Sequence, residues 1–205
     1  MSTDGGRHPE PGARRSGSTR LEWGPPRPSE GGVALAPSEL PPYTFFSGRT
    51  AHLDEAYPRD IDAGLMAIIE TEGPVVGTRA QTAYVDAMGA DRVTAVRRTK
   101  LNKALSRLVG RGWLEVDAPL GERAVQDRTY RLPDQPMARP RRRDGRAIQS
   151  ITPHDIIAVM EAALREEPWL RGEALHRATM ARLDIERLGK DVRKRMESCD
   201  AARTK

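Results

Sequence analysis

The four residues Pro58-Arg59-Asp60-Ile61 recur as Pro153-His154-Asp155-Ile156, and the offset of 95 then continues without a gap. In that register Ala63 meets Ala158, Glu72 meets Glu167, Gly77 meets Gly172, Ala83 meets Ala178, Arg92 meets Arg187 and Arg98 meets Arg193. Apolar positions agree as well: Leu65 with Met160, Ile69 with Leu164, Val75 with Leu170, Val93 with Leu188 and Leu101 with Met196. Because the same faces must be buried in both stretches, the chain is expected to use one supersecondary unit twice.

The first copy has the richer pattern. Ile61, Leu65, Ile68 and Ile69 follow the i, i+4, i+7, i+8 spacing of an amphipathic helix that Glu72-Gly73-Pro74 ends. Val75 and Val76 allow one short extended segment. Thr78 can cap a second helix with Ala80, Tyr84, Ala87 and Met88 on one face, and Gly89 permits the turn after it. A third helix is predicted from about Arg92 to Val109, buried through Leu101, Ala104, Leu105 and Leu108 and stopped by Gly110 and Gly112. Trp113-Leu114-Glu115-Val116 and Thr129-Tyr130-Arg131-Leu132 alternate as half-buried strands do, around a polar loop with Pro119 and Gly121.

Three helices followed by a hairpin describe a winged helix-turn-helix, so residues 42–133 are expected to form that domain. The fold class is mainly α with a small β-hairpin wing. Residues 1–41, dominated by Gly, Pro, Ser and Arg, read as a disordered arm, on which Tyr43-Thr44-Phe45-Phe46 acts as an anchor to the first module. Residues 134–150 read as a basic Pro/Arg-rich linker. Residues 151–197 read as a second, wingless three-helix module opened by Thr152 as N-cap and Pro153, and 198–205 as a flexible tail.

Ile68-Ile69-Glu70-Thr71-Glu72-Gly73-Pro74-Val75, then Arg79, Met88-Gly89-Ala90-Asp91-Arg92 and the helix into Leu105-Ser106-Arg107-Leu108-Val109, resemble a bacterial winged-helix domain of unknown function. That domain is found C-terminal to proteins combining a superfamily 1 helicase with a restriction-endonuclease-like domain. The likeness spans about residues 43–133 and, more weakly, 151–197. It departs at Val76, where the family usually has His, and no helicase or nuclease domain is expected within these 205 residues. A role in nucleic-acid processing, beside a helicase or nuclease partner, is what the resemblance implies.

Chemistry-bearing constellations are scarce. His8, His52, His154 and His176 are scattered without metal-ligand spacing, and no Gly-rich phosphate loop ends in Lys-Ser or Lys-Thr. A lone Cys199 has no identifiable base beside it and excludes an internal disulfide, in keeping with a reducing, cytoplasmic setting. No enzyme activity, cofactor, metal or membrane association is expected, and no heptad run or self-complementary patch defines an oligomeric state. The net charge of +5 favours an acidic partner, and its distribution matters more than its size.

On the third helix Lys100, Lys103, Arg107 and Arg111 share a stripe that no acidic residue interrupts between Arg92 and Arg111. Double-stranded DNA is therefore the expected partner. Arg97 and Lys100 are the candidate base readers, Lys103 and Arg107 the candidate phosphate contacts, and Arg92, Arg98 and Arg111 complete the surface. Arg123 and Arg128 lie in or beside the wing, and Arg141, Arg142 and Arg143 would follow as a flexible arm. In the second module Arg187, Lys190, Arg193 and Lys194 are possible secondary contacts, diluted by Glu186, Asp191 and Glu197. The alternative is a tandem scaffold whose basic face meets an acidic surface on a helicase, nuclease or other protein.

Overall fold

Proline at the first helical position and Asp60 accepting from the Tyr57 amide start the first helix, α1, Pro58–Glu72. The computed structural model describes residues 40–205, so nearly all of the expected N-terminal arm lies outside the described residues. A short strand β1 (Val75–Val76) leads directly into α2 (Gly77–Ala87), then α3 (Ala95–Gly110), and β2 (Glu115–Asp117) and β3 (Thr129–Arg131) form a hairpin. The expected pair of strands is a three-stranded antiparallel sheet in the order β1-β3-β2, with Tyr130 opposite both Val75 and Val116. The valine pair thus supplies the third strand and ties the hairpin back to the start of α2.

Thr94, not the region of Arg92, caps α3, its hydroxyl accepting from the Arg97 amide at 3.3 Å. In the first core the faces of α1 and α3 are those the periodicity predicts, whereas α2 buries Ala80, Ala83, Tyr84 and Val85 and leaves Ala87 and Met88 half-buried. Leu65, Ile68, Ile69, Tyr84, Leu101, Leu105 and Leu108 are fully buried, each aliphatic side chain contributing roughly 1.5–3 kcal/mol of transfer free energy. Gly77 sits against the backbone of Gln126, where an added Cβ would come within 2.9 Å of the carbonyl oxygen.

The second half contains α4 (Pro153–Glu166), α5 (Gly172–Arg182) and α6 (Lys190–Arg203). These three helices begin 95 residues after α1, α2 and α3, at Pro153, Gly172 and Lys190 against Pro58, Gly77 and Ala95. Thr152 caps α4 as expected, accepting from the Asp155 amide at 3.1 Å. Ile156, Met160, Leu175, Met180, Leu183, Met196 and Cys199 make a separate core. The expected flexible tail from 198 is instead helical to Arg203, because Cys199 on the inward side of α6 is buried in that core.

The stretch 134–150 is a packed connection, not a free linker. Gln135 donates to the Ile69 and Glu70 carbonyls, closing the end of α1. The Arg139 amide donates to Asp155 at 2.6 Å, and the Arg143 amide to the Leu183 carbonyl at 3.0 Å. Arg141, expected in a flexible arm, is 2 % exposed, with its guanidinium donating to the carbonyls of Arg139 and Pro74.

Tyr43 joins both halves. Its ring stacks with the guanidinium groups of Arg141 (4.5 Å) and Arg146 (3.5 Å), its hydroxyl donates to Glu72 at 2.7 Å, and its amide donates to Asp144. Phe46 packs on the first core and Leu40 on the second. The short aromatic run is therefore an anchor to both modules.

Candidate nucleic-acid interface

α3 is held by polar contacts on two sides. Toward α1, buried Asp62 accepts from Arg107 through a two-pronged contact at Nε and Nη2, and from Arg111 at 3.4 Å. Arg107 also donates to the Pro58 carbonyl at 3.2 Å. Nearer the start of α3, Lys100 donates to the Leu53 carbonyl at 2.9 Å and pairs with Asp54 at 3.3 Å. The carboxylate attached to Arg107 raises its already high pKa further, so that guanidinium stays charged at every practical pH.

Arg107 and Arg111 therefore belong first to the α1–α3 packing, and Lys100 to the contact of α3 with the loop at Leu53 and Asp54. The stripe lacks acids along its own helix, but its partners come from the preceding loop and from α1. A helical projection of α3 alone could not reveal them.

On the opposite flank Asn102 donates to Gln126 at 3.1 Å and accepts from Gln81 at 2.6 Å. This bridge fixes the 3₁₀ turn Val125–Asp127, inside the hairpin loop, against α2 and α3. Arg128 turns inward to the Glu122 and Arg123 carbonyls at 3.2 and 2.9 Å and shapes that loop. Arg131 pairs with Glu115 and Asp117 across the hairpin, which neutralises its middle.

What remains open on α3 is the side facing away from the core: Ala95, Val96, Arg98, Thr99, Lys103 and Ser106 are exposed. Arg92, just before the helix, and Arg123, in the loop, are exposed too. None of Arg92, Arg98, Lys103 and Arg123 enters an ion pair among the described residues. Arg97 is half-buried and donates to the Arg92 carbonyl at 2.9 Å, so it stitches the turn before α3.

The remaining candidates divide between surface and interior. Arg141 is buried, and burial lowers its pKa as it does that of Arg146. Arg142 and Arg143 are half-buried, with Arg143 donating to the Arg146 carbonyl at 2.6 Å. In the second module Arg187, Lys190 and Lys194 are exposed, whereas Arg193 pairs with Glu173 at 3.3 Å. Arg177 and Arg193 hold the Glu173 carboxyl below its ordinary range.

Sequence reasoning did not find the acids Asp54 and Asp62, the Gln81–Asn102–Gln126 bridge, or the buried Tyr43–Glu72–Arg79 cluster. In that cluster burial alone would raise the Glu72 carboxyl, but hydrogen bonds from Arg79, the Phe46 amide and Tyr43 outweigh it and hold the pKa low. No group of His, Cys, Asp and Glu suited to a metal occurs among the described residues, nor does a helix long and apolar enough to cross a membrane. Comparisons with protein-family models, curated proteins and solved structures return no match.

Proposed function

We propose that this protein is a non-catalytic, double-stranded DNA-binding protein, acting as a regulator or an accessory component of a nucleic-acid-processing system. The reading takes α1–α3 and the β1-β3-β2 sheet as a winged helix-turn-helix, with the β2–β3 hairpin as its wing and α4–α6 as a wingless counterpart. The observation that carries it is the outward side of α3. From Ala95 to Ser106 that side is exposed and free of acidic residues, and the loop bearing Arg123 is fixed beside it through Asn102 and Gln126.

In this reading α3 enters the major groove. Val96 and Thr99 offer apolar and hydroxyl contacts to base edges, Arg98 and Lys103 reach base or phosphate oxygens, and Arg92 and Arg123 contact phosphates on either flank. Lys100, Arg107 and Arg111 set the helix in place. Four phosphate contacts correspond to a log–log salt slope of about −3.6.

Fluorescence anisotropy with a mixed-sequence duplex, at several salt concentrations, tests the proposal. The double substitution Arg98→Glu and Lys103→Glu is expected to weaken binding at least about tenfold and flatten the salt dependence, with the circular dichroism spectrum retained. Unchanged affinity would remove the assignment. A second reading, a scaffold for a helicase, nuclease or other protein, is favoured by one observation: Asp54 and Asp62 neutralise much of the basic stripe. Under that reading a partner stays bound after nuclease treatment.

A further inference from the structure

Where the start of α1 meets the end of α3, Tyr57, Pro58, Arg59, Asp62, Arg107 and Arg111 line an open groove of about 440 Å3. Three guanidinium groups and one carboxylate face it, so the lining carries a formal surplus of two positive charges. Asp62 is buried at the base and already accepts from Arg107 and Arg111, which orients both side chains. Arg107 retains its Nη1 group and Arg111 its Nε and Nη2 groups for another acceptor. Arg59 is 84 % exposed and pairs at 3.7 Å with Asp60.

Aromatic surface accompanies two of the three arginines. Tyr57 is 67 % exposed with Arg59 stacked at 5.6 Å, and Trp113 is half exposed with Arg111 stacked at 5.3 Å.

We propose that this groove binds a phosphate monoester carried on a nucleoside, either a free mononucleotide or the 5′ end of a nucleic-acid strand. A monoester dianion brings two charges and three terminal oxygens to these guanidinium groups, whereas an internal phosphodiester brings one charge and two terminal oxygens. The planar fork of arginine suits two oxygens of one phosphate, and the exposed Tyr57 ring gives the attached base a face to stack on. The strand-end source rests on the DNA-binding reading above; the free-nucleotide source does not.

The test is a titration of the full-length protein, followed by amide NMR, with a nucleoside 5′-monophosphate and with the same nucleoside lacking phosphate. The monophosphate is expected to shift amides in 57–62 and 107–113 and to bind at least about tenfold more tightly than the nucleoside. Combining Arg59→Ala with Arg111→Ala is expected to weaken it about tenfold, and Arg59→Ala alone, at a highly exposed side chain whose loss leaves the fold intact, about threefold. Equal binding of nucleoside and monophosphate, or unchanged affinity in both variants, overturns the inference.

Duplexes with and without 5′-phosphates separate the two sources. Tighter binding of the phosphorylated duplex identifies a strand end; equal binding, with the monophosphate still bound, identifies a free nucleotide. A duplex that fails to bind while the monophosphate binds would remove the DNA reading and leave the groove.

Discussion

At the scale of single residues, a basic side chain is defined by the acid it meets. Arg107 and Arg98 are both α3 arginines, yet Arg107 completes buried Asp62 whereas Arg98 is exposed and, among the described residues, without an ion pair. Arg107→Ala leaves a buried carboxylate short of donors and is expected to cost about 2 kcal/mol in urea unfolding, while Arg98→Ala changes stability by less than about 0.5 kcal/mol. Glu72 makes stability depend on acid. Its folded pKa lies below the ordinary glutamate value, so its contribution is present above that value and is lost as pH falls through the lower, folded one. Urea midpoints measured downward from neutral pH are therefore expected to fall less steeply in Glu72→Gln than in the parent, alongside a lower midpoint at neutral pH. Cys199 is inert for a related reason: burial pushes its thiol up to about 11, so Ellman's reagent at mildly alkaline pH is expected to react only after denaturant is added.

At the scale of elements, the end of α6 belongs to the second core. Ending the chain after Glu197 removes Cys199 and the Asp200–Arg203 pair, and is expected to lower the thermal midpoint by several degrees in a calorimetric scan. The helices and their buried faces were legible in the sequence because Leu65, Leu101, Leu105 and Met160 obey a local period that needs no knowledge of neighbours. Even the 95-residue offset, read from scattered identities, recurs in the three helix starts. Pairings between distant stretches were not legible. Nothing local in Val75–Val76 announces Tyr130 as its partner, and a stripe on α3 cannot disclose that Asp62 on α1 faces it. The proline and arginine content of 134–150 resembles a solvated tether, but the cavities those side chains occupy are built by residues far away in sequence. Lys100, Arg107 and Arg111 therefore read as available cations in the sequence, whereas the fold pairs them with Asp54 and Asp62.

At the scale of the whole chain, the two cores are joined by buried polar contacts rather than a continuous apolar one. Tyr43, Glu72, Arg141, Asp144, Arg146 and Asp155 come from four separated stretches, and the two arginines are stacked on the Tyr43 ring. Tyr43→Ala leaves these charged groups without their shared ring, so calorimetry is expected to resolve two unfolding transitions where the parent shows one. The same clasp has a consequence for synthesis on the ribosome. Asp144 follows Tyr43 by 101 residues, so at roughly 5–20 residues per second the aromatic side chain waits about 5–20 s for its cover. During that interval the emerged helices present an uncovered seam, and the first half reaches its final form only after the connection bearing Arg141, Asp144 and Arg146 has left the exit tunnel.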